Sequence, residues 1–105
     1  MMHSSGLSDT ALATVLAILS SCSAIEKAIL YGSRAKGNFR PGSDIDLTLV
    51  GPQLTQDMLS KLVGMFEESN LPYQVDLSIL KDIDNPSLQE HIERVGKVLY
   101  ERKET

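Results

Sequence analysis

Two carboxylates at the start of an apolar run are the residues best suited to chemistry in this chain. Asp44 and Asp46 are separated by one residue, and a largely apolar segment follows them as far as Val50. In a β-strand, side chains two positions apart leave the same face, so these carboxylates would stand side by side. At a separation of about 4 Å they would repel by roughly 4 kcal/mol, against a total domain stability of roughly 5 to 15 kcal/mol. The pair therefore favours a bound cation.

A different interpretation of the same aspartates needs no metal. Ser43 and Asp44 follow Pro41-Gly42, and such side chains often accept hydrogen bonds from the backbone of a turn. Short motifs of the form Asp-x-Asp also recur by chance, so the pair alone does not separate a turn cap from a metal site. The residues upstream favour the metal site.

A glycine-serine pair lies upstream, where a strand is predicted to pass into a short helix from Ser33 to Lys36. Gly32 permits close approach of the backbone to a ligand, and the first N–H groups of a helix attract anions. Arg34 and Arg40, together with Lys36, add positive charge nearby. A phosphate corner followed after ten residues by paired carboxylates is more specific than either part alone.

The order Gly-Ser, ten residues, Asp-x-Asp resembles the DNA polymerase beta-like nucleotidyltransferase superfamily. The segment GSRAKGNFRPGSDIDL is similar to its smallest branch, the minimal nucleotidyltransferases, and the resemblance extends from about Leu12 to Tyr100. In that superfamily the Gly-Ser pair holds the nucleoside triphosphate, and the two aspartates hold two magnesium ions. A third carboxylate on a neighbouring strand completes the site, and the matching position here is Asp76.

The surroundings of Asp76 have the alternation of a half-buried strand. Val75, Leu77 and Ile79 are apolar, and polar residues lie between them. A period of two places Asp76 on the polar face of that strand. The residues expected to be catalytic and metal-ligating are Asp44, Asp46 and Asp76. Those expected to bind the nucleotide are Gly32, Ser33, Arg34, Lys36 and Arg40.

The elements that must position these residues follow from hydrophobic spacing. Helical spacing after an N-cap at Ser8 predicts a first helix, and strands are predicted at residues 25–31, 44–50 and 73–80. A helix is predicted between the second and third strands, and a last helix begins at Asn85-Pro86 and ends at Gly96. Residues 97–101 are predicted to form a short fourth strand. His91, on the last helix, is predicted to face water.

The resemblance implies an α/β (α+β) fold: a small mixed, twisted sheet of three or four strands with helices packed mainly on one face. Whether the second and third strands are parallel is left open by their spacing. The 105 residues suit one domain, taken as residues 8–105 after a flexible N-terminus of residues 1–7.

Composition excludes several classes of protein. A net charge of -4 and a pI near 5.0 argue against binding of extended nucleic acid through a broad basic face. The single cysteine, Cys22, permits no intramolecular disulfide, which is typical of a reducing compartment. No apolar run reaches the roughly 18 to 20 residues of a membrane helix. These features predict a cytoplasmic protein.

Three functions remain open at this stage. The resemblance implies a magnesium-dependent enzyme that transfers AMP from ATP to a partner protein, because minimal nucleotidyltransferases commonly pair with a small all-helical HEPN protein encoded beside them. In such toxin–antitoxin modules the nucleotidyltransferase is the antitoxin. The second hypothesis is a non-catalytic antitoxin that covers its partner. The third is a nucleotidyltransferase that acts on a small-molecule hydroxyl with a separate substrate-binding subunit.

Overall fold

The computed structural model describes residues 7–37 and 44–102, which form four helices and four strands with one 3-10 turn. In chain order these are α1 Asp9–Ser20, β1 Lys27–Tyr31, α2 Ser33–Lys36, β2 Ile45–Val50, α3 Gln56–Glu68, β3 Val75–Ile79, the 3-10 turn Leu80–Asp82, α4 Pro86–Val95 and β4 Lys97–Glu101. Most of the predicted flexible N-terminus, residues 1–6, lies outside the described residues. Leu7 is described, and it packs against the core.

The four strands form one mixed sheet in the order β3-β2-β1-β4. β1 is antiparallel to both β2 and β4, whereas β2 and β3 are parallel. A parallel pair needs a long crossover, and α3 supplies it. The predicted mixed sheet is confirmed, and the strand direction that the spacing left open is parallel.

Three helices begin at residues whose side chains accept a hydrogen bond from the first turn. Ser8 accepts from the Ala11 N–H at 3.1 Å and Thr55 from the Met58 N–H at 3.2 Å. Asn85 accepts from two N–H groups of α4, at 2.9 and 3.2 Å. The starts predicted at Ser8 and Asn85 are confirmed, because these polar side chains satisfy N–H groups that a helix leaves unpaired.

The first three strands are shorter than the sequence predicts. β1 begins two residues later because the Ile25 N–H bonds to the Cys22 carbonyl in a turn after α1. β2 begins at Ile45, directly after Asp44. β3 ends at Ile79 because Leu80 already belongs to the 3-10 turn. None of these differences shifts a side chain to the other face of the sheet.

The hydrophobic core fills the face of the sheet that carries α1 and α3. Ala28 and Leu30 of β1 join Leu47 of β2 in this core, where they pack with Leu19 of α1 and Leu62 of α3. The neighbouring positions on each strand face the other way, since successive side chains alternate. That opposite face carries the polar residues of the site.

The helix α4 lies on the face opposite to α1 and α3. Its Ile92 lines a cavity together with Ile29 of β1, and its His91 contacts Tyr31. Ile29 and Tyr31 point away from the core side chains Ala28 and Leu30. The sheet therefore separates α1 and α3 from α4. No helix within residues 7–37 and 44–102 is long and apolar enough to cross a membrane.

Candidate functional site

Three adjacent strands bring polar side chains into one row. In the sheet register Tyr31 of β1 lies opposite Asp46 of β2, and Asp46 lies beside Asp76 of β3. Paired positions project to the same face of a sheet. Asp44, two residues before Asp46 and just ahead of β2, adds a third carboxylate at this end. Asp44, Asp46 and Asp76 are termed the carboxylate cluster below.

The neighbours of Asp46 in the carboxylate cluster affect its pKa. The pKa of Asp46 is raised first by burial of the half-buried carboxyl, then by repulsion from Asp76 and from Asp44. A positive charge on His91 would act in the opposite direction and favour the ionised carboxylate of Asp46. Asp44 and Asp76 are themselves exposed. The three carboxylates that the sequence predicted thus lie near enough for Asp76 and Asp44 to affect the pKa of Asp46.

The donor set of the cluster fits a hard cation. Carboxylate oxygens are the ligands that magnesium prefers, and repulsion among like charges is relieved by a cation between them. Among the described residues, no group of three or more His, Cys, Asp or Glu side chains is arranged so that it could hold a metal ion. The cluster therefore offers the right kind of ligand atom, but its three side chains do not stand as a metal site.

The Gly32-Ser33 corner directly adjoins the carboxylate cluster. A Cβ built on Gly32 would overlap Asp46 Oδ2, and Asp46 Cγ would lie 3.3 Å from it. Gly32 also has φ 76° and ψ −157°, a conformation that is open essentially to glycine. Glycine at this position thus permits the backbone to approach a carboxylate that any side chain would displace.

The corner continues into one turn of helix. The Lys36 N–H bonds to the Gly32 carbonyl at 3.1 Å, and the Gly37 N–H bonds to the Ser33 carbonyl at 2.9 Å. Gly37 ends the turn with a left-handed φ of 86°. Ser33 is half-buried and stands first in this helix, as predicted.

The structure describes two of the three basic residues expected at the nucleotide, and their surroundings differ. Arg34 is only 2% exposed, and its guanidinium carbon lies 4.7 Å from the centre of the Tyr73 ring. That geometry is a cation–π contact with the segment that leads into β3. Lys36 is exposed. Arg40 lies outside the described residues.

His91 is a site residue that the sequence interpretation missed. It was predicted to face water, and that prediction is wrong: its Nε2 accepts a hydrogen bond from the Gly32 N–H at 3.2 Å. The imidazole ring also stands edge-on to Tyr31, with ring centres 6.2 Å apart and planes at 81°. A usable signal was present, since Leu88, His91, Ile92 and Val95 share one face of a helix.

Tyr31 is the second residue that sequence reasoning did not place at the site. Burial raises its pKa, as do Asp46 and Asp76, while a hydrogen bond with Ser78 acts against them. Ser78 Oγ in turn donates to Thr48 Oγ1 at 2.9 Å, and Thr48 is fully buried. A row of hydroxyl groups therefore lies directly behind the carboxylates on β2 and β3.

The family match covers most of the chain. The family model described as Polymerase beta, Nucleotidyltransferase matches residues 14–105. This range contains the Gly32-Ser33 corner and all three carboxylates. Among curated proteins, none matches the sequence.

Several solved structures share the fold. A toxin–antitoxin structure with AMP-PNP has a TM-score of 0.70 at 22% identity, over 88% of this chain and 74% of that chain. The MntA–HepT toxin–antitoxin has a TM-score of 0.59 at 17% identity, over 90% and 74%. The tri-AMPylated Shewanella oneidensis HEPN toxin in complex with MNT antitoxin gives 0.58 at 17% identity, over 89% and 71%.

These likenesses, at low identity, concern the fold. The match of residues 14–105 is the finding that decides the family, and the mixed sheet with its carboxylate cluster agrees with it. The chain belongs to the polymerase beta nucleotidyltransferase family.

Proposed function

We propose that this chain is a magnesium-dependent nucleotidyltransferase that transfers AMP from ATP to a hydroxyl group of a partner protein. The observation that carries the proposal is the carboxylate cluster set against Gly32, where Asp46 lies too close to admit a side chain. Asp76 reaches the same place from β3, beside Asp46 in the sheet register. In this proposal the Gly32-Ser33 corner that binds phosphate and the carboxylates that bind metal are adjacent.

Charge explains why the site needs a cation. A nucleoside triphosphate carries about four negative charges, and the cluster adds those of its carboxylates, so the two repel in a partly buried site. Asp44, Asp46 and Asp76 would hold two magnesium ions. When bound, such ions neutralise phosphate oxygens and lower the pKa of an attacking hydroxyl.

The chain's own residues then orient the reactants. Gly32 and Ser33 would hold the triphosphate at the corner, while Lys36 from the exposed side and Arg34 from beneath offset its charge. Arg40 joins them on the family resemblance. Asp76 would position the acceptor hydroxyl and accept its proton. The hydroxyl oxygen attacks the α-phosphorus, the bond between that phosphorus and the bridging oxygen breaks, and pyrophosphate leaves.

The proposed acceptor is a small all-helical HEPN-type protein encoded next to this chain. One observation supports a separate partner. Structures that share the fold of this chain include a complex of a tri-AMPylated HEPN toxin with an MNT antitoxin. In this proposal the chain is the antitoxin, and transfer of AMP silences its partner.

Mass spectrometry of the neighbouring protein tests the proposal. Incubation with this chain, ATP and magnesium should add AMP-sized increments to the neighbour. Asp46→Asn should lower the rate of labelling by more than about 100-fold, because even residues that only support metal ligands contribute about 10- to 100-fold. Asp84→Asn, at an exposed aspartate before α4, is the matched control and should label normally.

Other outcomes separate the remaining hypotheses. If wild-type protein labels nothing yet still inhibits its neighbour, the non-catalytic antitoxin is correct. If it transfers AMP only to a small-molecule hydroxyl, the acceptor assigned here is wrong. Labelling that persists at full rate in Asp46→Asn would contradict the metal assignment itself.

A further inference from the structure

His91 of α4 reaches the corner from a distant part of the chain. Its Nε2 atom accepts the Gly32 N–H at 3.2 Å, although 59 residues separate the two in sequence. The edge-on contact with Tyr31 supports the imidazole from a second direction. Half-buried between these neighbours, His91 has its ring orientation fixed by both contacts.

The hydrogen bond also defines the tautomer of the imidazole. A backbone N–H donates only to a ring nitrogen that carries no proton, so Nε2 is bare and the ring proton of neutral His91 resides on Nδ1. The imidazole therefore gives the Gly32 N–H a hydrogen-bond acceptor. Backbone N–H groups inside a fold need such a partner.

The orientation of the Gly32 peptide matters because Asp46 is so near. The missing Cβ of Gly32 would overlap Asp46 Oδ2, and Tyr31, the residue before it, lies opposite Asp46 in the register. A rotation of this peptide would move the backbone toward the carboxylate or away from it. An acceptor that holds the N–H from the α4 side therefore fixes the separation between the corner and the carboxylate cluster.

We infer that His91 is a positioning residue for the nucleotide site, an inference that rests on the function proposed above. It acts through Gly32, whose peptide leads into Ser33, and it touches neither nucleotide nor acceptor. Because the Gly32 N–H is engaged by the imidazole, Gly32 would serve the nucleotide by its lack of a side chain, and hydrogen bonds to phosphate at this corner would come from Ser33. The helix α4 is in this way part of the site.

Two substitutions of matched polarity separate positioning from mere packing. The Oε1 atom of glutamine lies as far from the backbone as Nε2 of histidine. The Oδ1 atom of asparagine lies only as far from the backbone as Nδ1 of histidine. His91→Gln should therefore retain the acceptor and His91→Asn should lose it. The affinity for a magnesium complex of a non-hydrolysable ATP analogue can be measured by calorimetry. It should fall about 3- to 10-fold in His91→Asn, because the loss of one hydrogen bond changes an equilibrium constant by about this factor. It should change less than about 2-fold in His91→Gln.

A control and the contrary outcomes complete the test. Glu93→Gln alters an exposed residue of the same helix and should bind the analogue as wild type does. Equal affinity of wild type, His91→Gln and His91→Asn, or equal loss in both variants, overturns the positioning role alone. Wild-type protein that binds no magnesium–nucleotide complex contradicts the proposed function, and the role of His91 falls with it.

A measurement on the wild-type protein tests the same inference and does not depend on whether a variant folds. Nitrogen-15 spectra of the His91 ring at neutral pH should show the proton on Nδ1 and a bare Nε2. Observation of the proton on Nε2 would overturn the inference, since that nitrogen could then accept nothing from Gly32.

Discussion

At the scale of single residues, Gly32 combines two constraints that exclude any side chain. Its φ of 76° and ψ of −157° fall in a region used essentially by glycine, and its Cβ position is taken by Asp46 Oδ2. Gly32→Ala should therefore lower the free energy of unfolding by about 1 to 3 kcal/mol from backbone strain, and should displace the Asp46 carboxylate as well. Urea denaturation followed by circular dichroism measures the loss.

Gly64 supplies the matched control for Gly32→Ala. It lies inside α3, and apart from its chain neighbours and the backbone of that helix no atom stands within 4 Å of the Cβ that it lacks. Gly64→Ala should raise the free energy of unfolding by about 0.5 to 1 kcal/mol, because alanine loses less backbone entropy in a helix. A Gly32→Ala protein as stable as Gly64→Ala would contradict the strain and overlap described for the corner.

Individual site residues differed in how far the sequence could predict them. Asp44, Asp46 and the Gly32-Ser33 pair belong to one short segment, so their types and spacing predicted a shared site. Asp76 required a strand pattern and a family resemblance. The contact between His91 and Gly32 depends on where α4 lies against the sheet, and no local pattern encodes a hydrogen bond across 59 residues. Sequence placed His91 on a helix but not on its inner face.

At the scale of elements, α4 is anchored at its start by one side chain. Asn85 Oδ1 accepts the N–H groups of Ser87 and Leu88 at 2.9 and 3.2 Å. Asn85→Ala should cost about 1 kcal/mol and loosen the first turn of the helix that carries His91. Hydrogen exchange of the Gly32 amide should then accelerate relative to that of the Leu47 amide in the core.

Ser8→Ala is the control for the loss of a helix cap. Ser8 caps α1 through the Ala11 N–H, and α1 packs on the opposite face of the sheet from α4. The cost in stability should again be about 1 kcal/mol, but the ratio of Gly32 to Leu47 exchange should stay at its wild-type value. A ratio that rises equally in both variants would mean that α4 has no particular connection to the corner.

The elements themselves were largely predictable, because hydrophobic period and capping residues are local properties. All four strands and the last helix were placed within two residues at their starts. The direction of β3 relative to β2 was not predictable, since pairs such as Asp46 with Asp76 arise only when the crossover through α3 is complete. The pairing that assembles the site is therefore the part that spacing alone left open.

At the scale of the whole molecule, the carboxylate cluster links stability to pH. The pKa of Asp46 is raised by burial and then by repulsion from Asp76 and Asp44. A carboxyl whose pKa is higher in the folded state favours folding while protonated, so stability falls as pH rises from the ordinary value of 3.8 through the raised pKa. Above that range the penalty is fully present. Asp46→Asn should therefore unfold at higher urea than wild type at neutral pH, and should lose this advantage below about pH 3.5.

Urea denaturation at both pH values, with Asp84→Asn as the control, decides this prediction. Asp84 is exposed, so its substitution should change the free energy of unfolding by less than about 0.5 kcal/mol at either pH. Magnesium chloride at neutral pH should stabilise wild type and leave Asp46→Asn unchanged, because a ligand that binds only the folded state shifts the unfolding equilibrium. If wild type is instead the more stable protein at neutral pH without magnesium, the carboxylates do not repel one another as their positions imply. The cluster would then have no need of a cation.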